Sequence, residues 1–137
     1  IPASGGGMQD VVGLFNQDNF ARSLPETKTV LSASLISGNH TVGAFYRMIS
    51  DYETTNPPNA LGVANGLGQE IDEFNVLDLK YSYNFDMDDS SLRLSLGVKN
   101  ATDEEVPMFY DASNFSYDTR QHDPRGKMVY VGLKYSR

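Results

Sequence analysis

The segment Met128–Arg137 reads Met-Val-Tyr-Val-Gly-Leu-Lys-Tyr-Ser-Arg and alternates without a fault as far as Ser136. Val129, Val131, Leu133 and Tyr135 fall on one face, and Met128, Tyr130, Gly132, Lys134 and Ser136 on the other. Successive side chains of an extended chain point to opposite sides, so a period of two dictates a strand. The first face is wholly apolar, while the second mixes small, polar and charged groups. That pattern suits a strand between lipid and a wet lumen better than one packed on a dry core.

The pattern recurs upstream. In Leu92–Val98, Leu92, Leu94, Leu96 and Val98 face one way, against Arg93, Ser95 and Gly97. In Val76–Phe85, Leu77, Leu79, Tyr81, Tyr83 and Phe85 oppose Asp78, Lys80, Ser82 and Asn84. Thr41–Tyr52 sets Val42, Ala44, Tyr46 and Met48 against Gly43, Phe45, Arg47 and Ile49. Lys28–Ser37 sets Thr29, Leu31, Ala33 and Leu35 against Val30, Ser32, Ser34 and Ile36. In these last two, Val30, Ile36, Phe45 and Ile49 break the polar face, which points to a filled interior on that side.

Turn chemistry gives an independent constraint. Gly38-Asn39 is a two-residue hairpin signal. With that loop Leu35 meets Val42 and Leu31 meets Tyr46, outward residue against outward residue, and a slip of one would break every match. The same parity demands an even-numbered loop across Asp86–Ser91. One permitted register sets Phe85 opposite Leu92 and Asp78 opposite Lys99. Short turns therefore alternate with long polar connections at Glu53–Asn75 and Ala101–Gly126. Short turns on one rim and long loops on the other is the asymmetry of bacterial outer-membrane barrels. Tyr83, Phe85 and Tyr135 fall at the short-turn ends and Tyr52 at a long-loop end, where interfacial aromatic girdles sit. The expectation is an all-β fold: an antiparallel meander of about five transmembrane strands from the end of a large up-and-down β-barrel. Residues 28–137 carry the strands, and residues 1–27 are expected to be a loop or incoming segment, with no element assigned over 1–20.

The formal net charge is −7 and the pI about 4.6, which argues against a nucleic-acid partner, since phosphate binding needs clustered Lys and Arg. With no cysteine, disulfides and thiolate metal sites are excluded. No run approaches the roughly 18 apolar residues of a membrane helix, but a barrel strand needs only about 10 residues with every second one apolar. The opening Ile-Pro-Ala-Ser-Gly-Gly-Gly has neither the basic nor the apolar region of a signal peptide, so a processed chain or a piece of a longer one is expected.

Gly97-Val98-Lys99-Asn100-Ala101-Thr102-Asp103-Glu104-Glu105-Val106-Pro107 resembles the G-V-x-N-L-x-D-x-x-x-P strand and loop near the end of TonB-dependent receptors, with Ala101 where that family has leucine. Tyr117-Asp118-Thr119-Arg120 followed by Asp123-Pro124-Arg125-Gly126-Lys127 is similar to the family's approach to its last strand. Leu24-Pro25-Glu26-Thr27-Lys28 resembles its proline-bearing start of a descending strand. The resemblance spans roughly residues 17–137. Gly132 and Tyr135 match the family's terminal assembly pattern, whereas Arg137 stands at the place of its terminal aromatic.

The resemblance implies the C-terminal end of a receptor in the outer membrane of a Gram-negative bacterium. Such receptors import scarce solutes of the iron–siderophore, cobalamin or glycan type. About 22 strands close a barrel of this kind around a plug, so the implied partners are the rest of the barrel, the plug and outer-membrane lipid. A small solute ligand and TonB, reached through an N-terminal part not in this sequence, complete the set. Phe109, Tyr110, Phe115 and Tyr117 in the last long loop are the external ligand-binding candidates, although packing against their own loop is the simpler role for such rings. Arg47, Asp78, Lys80, Arg93 and Lys99 are expected to face the lumen, against plug or water.

Two histidines on different loops rule out a multi-histidine metal centre, so His122 is expected to be loop decoration and no metal or other cofactor is expected. Ser113 and Ser116 have no placed base and no Gly-rich phosphate loop is present, so the chain is not expected to be an enzyme. The alternative is a self-contained small β-protein acting as a binding or interaction module, its apolar face a core or an oligomer interface.

Overall fold

The computed structural model describes residues 10, 12–15, 23–55, 57–109 and 117–137. In chain order they form β1 (Leu14–Phe15), β2 (Ser23–Leu24), β3 (Lys28–Ser37), β4 (His40–Ile49), β5 (Tyr52–Thr54), α1 (Ala60–Ala64), β6 (Glu70–Ile71), β7 (Phe74–Met87), β8 (Ser90–Lys99) and β9 (Met128–Ser136). The described residues are therefore all-β with one short helix. It divides into two units: Thr29–Arg47, Asn75–Glu105 and Arg125–Arg137 form the sheet unit, and Ile1–Lys28, Met48–Phe74 and Val106–Pro124 form the loop unit.

The sheet unit is an open sheet of five strands in the order β3-β4-β7-β8-β9. Its strands fall where the period of two places them, and β3 runs over Lys28–Ser37 as read. Gly38, at φ +55°, and Asn39 make the two-residue turn into β4, a conformation glycine adopts at no steric cost. Between β7 and β8 the turn is Asp88-Asp89, an even loop, and the ladder holds Phe85 opposite Leu92. It runs to Leu79 opposite Val98. One step beyond stand Asp78 and Lys99, but the Asp78 carboxylate turns elsewhere: Oδ2 accepts from Arg47 Nη2 at 3.0 Å and Oδ1 from the Asn100 N–H at 2.9 Å.

The β7-β8 and β8-β9 registers together build rows three strands wide. Phe85, Leu92 and Tyr135 form one row; Tyr83, Leu94 and Leu133 the next; then Tyr81, Leu96 and Val131; then Leu79, Val98 and Val129. Every member of these four rows is apolar or aromatic. The intervening rows, on the opposite face, are Asp86-Ser91-Ser136, Asn84-Arg93-Lys134, Ser82-Ser95-Gly132 and Lys80-Gly97-Tyr130. Val129, Val131, Leu133 and Tyr135 on β9 are 60–71 % exposed, so the apolar face is bare there. At the turn end Tyr83 meets Phe85 edge-on at 4.6 Å and His40 at 4.7 Å, and His40 Nδ1 hydrogen-bonds the Tyr81 hydroxyl at 2.8 Å.

A clasp closes the neck between β8 and β9. Asn100 and Asp103 adopt the left-handed region at φ 49° and 59°, a strained conformation that Asn and Asp tolerate best. The Asn100 side chain spans the turn, with Oδ1 accepting from the Glu104 N–H at 2.9 Å and Nδ2 donating to the Glu104 carbonyl at 2.8 Å. Asp103 Oδ1 then accepts from the Lys127 N–H at 2.7 Å, where the chain returns to β9. The Ala101 N–H donates to the Leu77 carbonyl at 2.7 Å. These bonds give a physical reason for the Asn and Asp of the Gly97–Pro107 segment.

The loop unit corrects three expectations. Residues 14–15 and 23–24, expected as loop, form β1 and β2 in a small sheet of order β2-β1-β5-β6, with β1 parallel to β5. Gly13, at φ +78°, permits the bend that lets its N–H reach the Leu24 carbonyl at 2.6 Å and its carbonyl accept from the Glu53 N–H at 2.8 Å. The strand expected over Thr41–Tyr52 stops at Ile49, because Ser50 leaves the ladder to bond Thr27 in both directions, N–H to carbonyl at 3.0 Å and Oγ from the N–H at 3.1 Å. Tyr52, expected at an exposed girdle, lies instead in β5 and is buried. Helix α1 starts at Asn59, whose Oδ1 accepts from the Leu61 and Gly62 N–H groups at 3.0 Å each, satisfying donors the first turn leaves free.

Candidate functional site

The core of the loop unit is Tyr52, Ile71 and Phe109, with Ile49 packed against it. Ile49 broke the polar face of its strand in sequence, and this packing is the reason. Phe109 is 1 % exposed, so this ligand-binding candidate presents no ring to a solute and takes the loop-packing role. Tyr110 and Phe115 lie outside the described residues. Tyr117 is half-buried.

Beside this core sits a buried polar cluster that the sequence did not announce. The Tyr52 hydroxyl donates to Asp118 Oδ2 at 3.0 Å. Asp118 Oδ1 accepts from the Arg120 N–H at 2.9 Å, and the Asp118 carbonyl accepts from the Gln121 and His122 N–H groups at 3.2 and 3.0 Å. Asp118 thus organises the 118–122 turn with both its side chain and its backbone. Burial, the Asp118 charge and the hydrogen bond to it together hold the Tyr52 phenol well above its ordinary range, so it stays a donor.

His122 is the correction to the decoration reading. It is 4 % exposed and sits edge-on to Phe74 at 5.0 Å and tilted over Tyr52 at 6.1 Å. Neither ring nitrogen has a hydrogen-bond partner among the described residues. Burial pushes this imidazole below its ordinary value; the Asp118 carboxylate opposes the shift and the Lys28 ammonium adds to it. Lys28 Nζ also hydrogen-bonds Gln121 Oε1 next door. No sequence signal marks His122 for burial, since it lies in a polar stretch without periodicity.

The charged residues named from sequence share the polar face of the sheet unit. Arg47 and Asp78 form an ion pair, half exposed on the arginine side and so contributing at most about 1 kcal/mol. Arg93 Nε donates to Asn84 Oδ1 at 2.6 Å and stands directly opposite Lys134. Like charges so placed repel. Asn84, Asp86, Ser91, Arg93, Lys134 and Ser136 line a shallow polar recess of about 150 Å³ on this face. Lys80 and Lys99 are exposed.

Among the described residues, no three His, Asp or Glu side chains converge as a metal site would need. His122 has no hydrogen-bonded nucleophile or orienting acid among them either, the arrangement that acid–base chemistry requires. Asp118 orders the 118–122 turn beside the loop-unit core, and the residues of the sheet's polar face line a recess. No family model, no curated protein and no solved structure matches the chain.

Proposed function

We propose that this chain is the C-terminal wall-and-loop section of a TonB-dependent outer-membrane receptor that imports a scarce solute. One observation carries the reading: four consecutive apolar rows across β7, β8 and β9, bare on β9, alternate with polar rows that include Asp86, Arg93, Lys80 and Lys134. A soluble meander covers its apolar face with another layer. A barrel wall leaves that face to lipid and wets the other. The open sheet fits a section whose neighbouring strands lie elsewhere in a longer barrel, because an isolated sheet with bare edges invites aggregation. Two-residue turns at Gly38-Asn39 and Asp88-Asp89, against long connections on the other side, fit periplasmic and external ends.

In this reading the section supplies wall and loops and performs no covalent chemistry. Solute binding and coupling to TonB depend on the plug and N-terminal part. The test is an antibody against the Glu104–Asp123 loop used on fractionated cells. A band several times heavier than 15.1 kDa in the outer membrane supports the receptor. A soluble band near 15.1 kDa sinks it and leaves a small β binding module.

A further inference from the structure

His122 is an ionisable group enclosed in the loop unit, and neither of its ring nitrogens has a hydrogen-bond partner among the described residues. Among the described residues, its neighbours come from several elements of the loop unit. Tyr52 comes from β5 and is committed to Asp118. Phe74 comes from the start of β7 and offers only a ring edge. Lys28, at the start of β3, brings a positive charge and ties down Gln121. On the histidine's own segment Asp118 brings a negative charge, but its oxygens already accept from the Tyr52 hydroxyl and the Arg120 N–H. Arg120 and Asp123 flank the ring in sequence and are engaged in contacts of their own. A neutral imidazole is tolerated in this setting. An imidazolium there has two donors to satisfy, a lysine nearby and water excluded, a costly combination.

We propose that His122 is an acid-operated latch on the loop unit: protonating its ring expels it from its seat against Phe74 and Tyr52 and frees the 117–124 segment. The direction follows from linkage. Because the folded ring holds its proton more weakly than the free one, the latch stabilises the unit fully above the ordinary histidine value of about 6.5. Stability is lost as pH falls from there through the lowered folded value. One proton is taken up on opening, so the open population rises by up to about tenfold per pH unit in that window. The latch stands whether or not the chain belongs to an import receptor, since it needs only the loop unit.

The test is limited proteolysis of the intact protein by proteinase K between pH 7.5 and 5.0. Rates within residues 117–124 are normalised at each pH to an unstructured peptide of the same segment. The wild type is expected to be cleaved several-fold faster at the acid end, and His122→Phe, which keeps an aromatic ring against Phe74 but cannot ionise, to stay flat. A flat wild type overturns the proposal, and so does an equal acid rise in His122→Phe, which assigns the response to other groups. Should the variant not fold, the wild-type His122 proton resonances decide. Loss of the Phe74 ring-current shift in step with protonation supports the latch. A ring that protonates at or above the ordinary value while keeping that shift overturns it.

Discussion

Gly97 and Tyr130 face each other directly on β8 and β9, and the tyrosine ring lies over the glycine. A Cβ built on Gly97 falls within 3.0 Å of Tyr130 Cζ, Cε1 and Oη, closer than real Cβ atoms come. Gly97→Ala must therefore drive the ring off its seat. Tyr130 is 41 % exposed, so about three-fifths of a side chain of roughly 150–250 Å² is covered, on the order of 100 Å². Losing half or more of that cover costs about 1.2–2.5 kcal/mol at 25 cal/mol per Å², within the usual range for overpacking. Against this, alanine is better than glycine in a strand by about 0.5–1 kcal/mol, because less backbone freedom is lost on folding. The net expectation is a destabilisation of about 1 kcal/mol. In a Tyr130→Ala background the ring is gone, and the same Gly97→Ala change should stabilise by about 0.5–1 kcal/mol. Urea titrations in detergent micelles, which cover the bare apolar face, read both values from midpoint shifts at constant slope. The sign of the alanine effect should reverse between the two backgrounds. An effect of the same sign and size in both would refute the ring-on-glycine account.

Two further outcomes check the other sites. Tyr52→Phe should cost the loop unit about 1–3 kcal/mol by leaving Asp118 Oδ2 buried without its donor. Proteolysis of residues 117–124 at pH 7.5 should then rise about tenfold or more, with the sheet's urea midpoint unmoved. Val131→Arg, on the apolar face, should cost about 2–4 kcal/mol of membrane insertion, while Ser95→Arg, on the polar face of the adjacent strand, should cost little. Quantifying the membrane-assembled fraction of each variant separates them, and equal losses would count against a lipid-facing side.

The sheet was legible in sequence because a half-buried strand prints its geometry at every second residue. Leu92–Val98 and Met128–Ser136 alternate cleanly, and the parity of an even loop left Phe85 against Leu92 as one permitted register, which the Asp88-Asp89 turn selects. The loop unit was not legible, for an equally physical reason. Strands of two or three residues such as Leu14–Phe15 and Tyr52–Thr54 are too short to show a period, and pairing with distant partners holds them. Helix α1 had one local signal, Asn59 after Pro57-Pro58, on a segment too short to declare itself by periodicity. Phe109 and His122 are buried by what folds over them rather than by their neighbours in sequence. A histidine in an acidic stretch therefore read as surface, whereas the general tendency of loop rings to pack inward already favoured packing for Phe109. Among the lumen candidates, alternation placed Arg47 and Asp78 on one face, but the choice of Arg47 over Lys99 as the partner of Asp78 needed the β4-β7 neighbourhood.

The Asn100–Asp103 clasp has a consequence for how such a chain can change over time. By tying the end of β8 to the start of β9 through the Lys127 N–H, it fixes both ends of the long excursion at its root. The entropic cost of closing the loop then falls on a few residues, and doubling the length of what lies beyond adds only about 0.6 kcal/mol. Changes of length within the excursion leave the β8-β9 register as it is, while Phe109, Asp118 and His122 remain bound to the loop-unit core. The strand pairing is thereby insulated from insertions and deletions beyond the clasp, so selection can vary the length of the excursion without renegotiating the register.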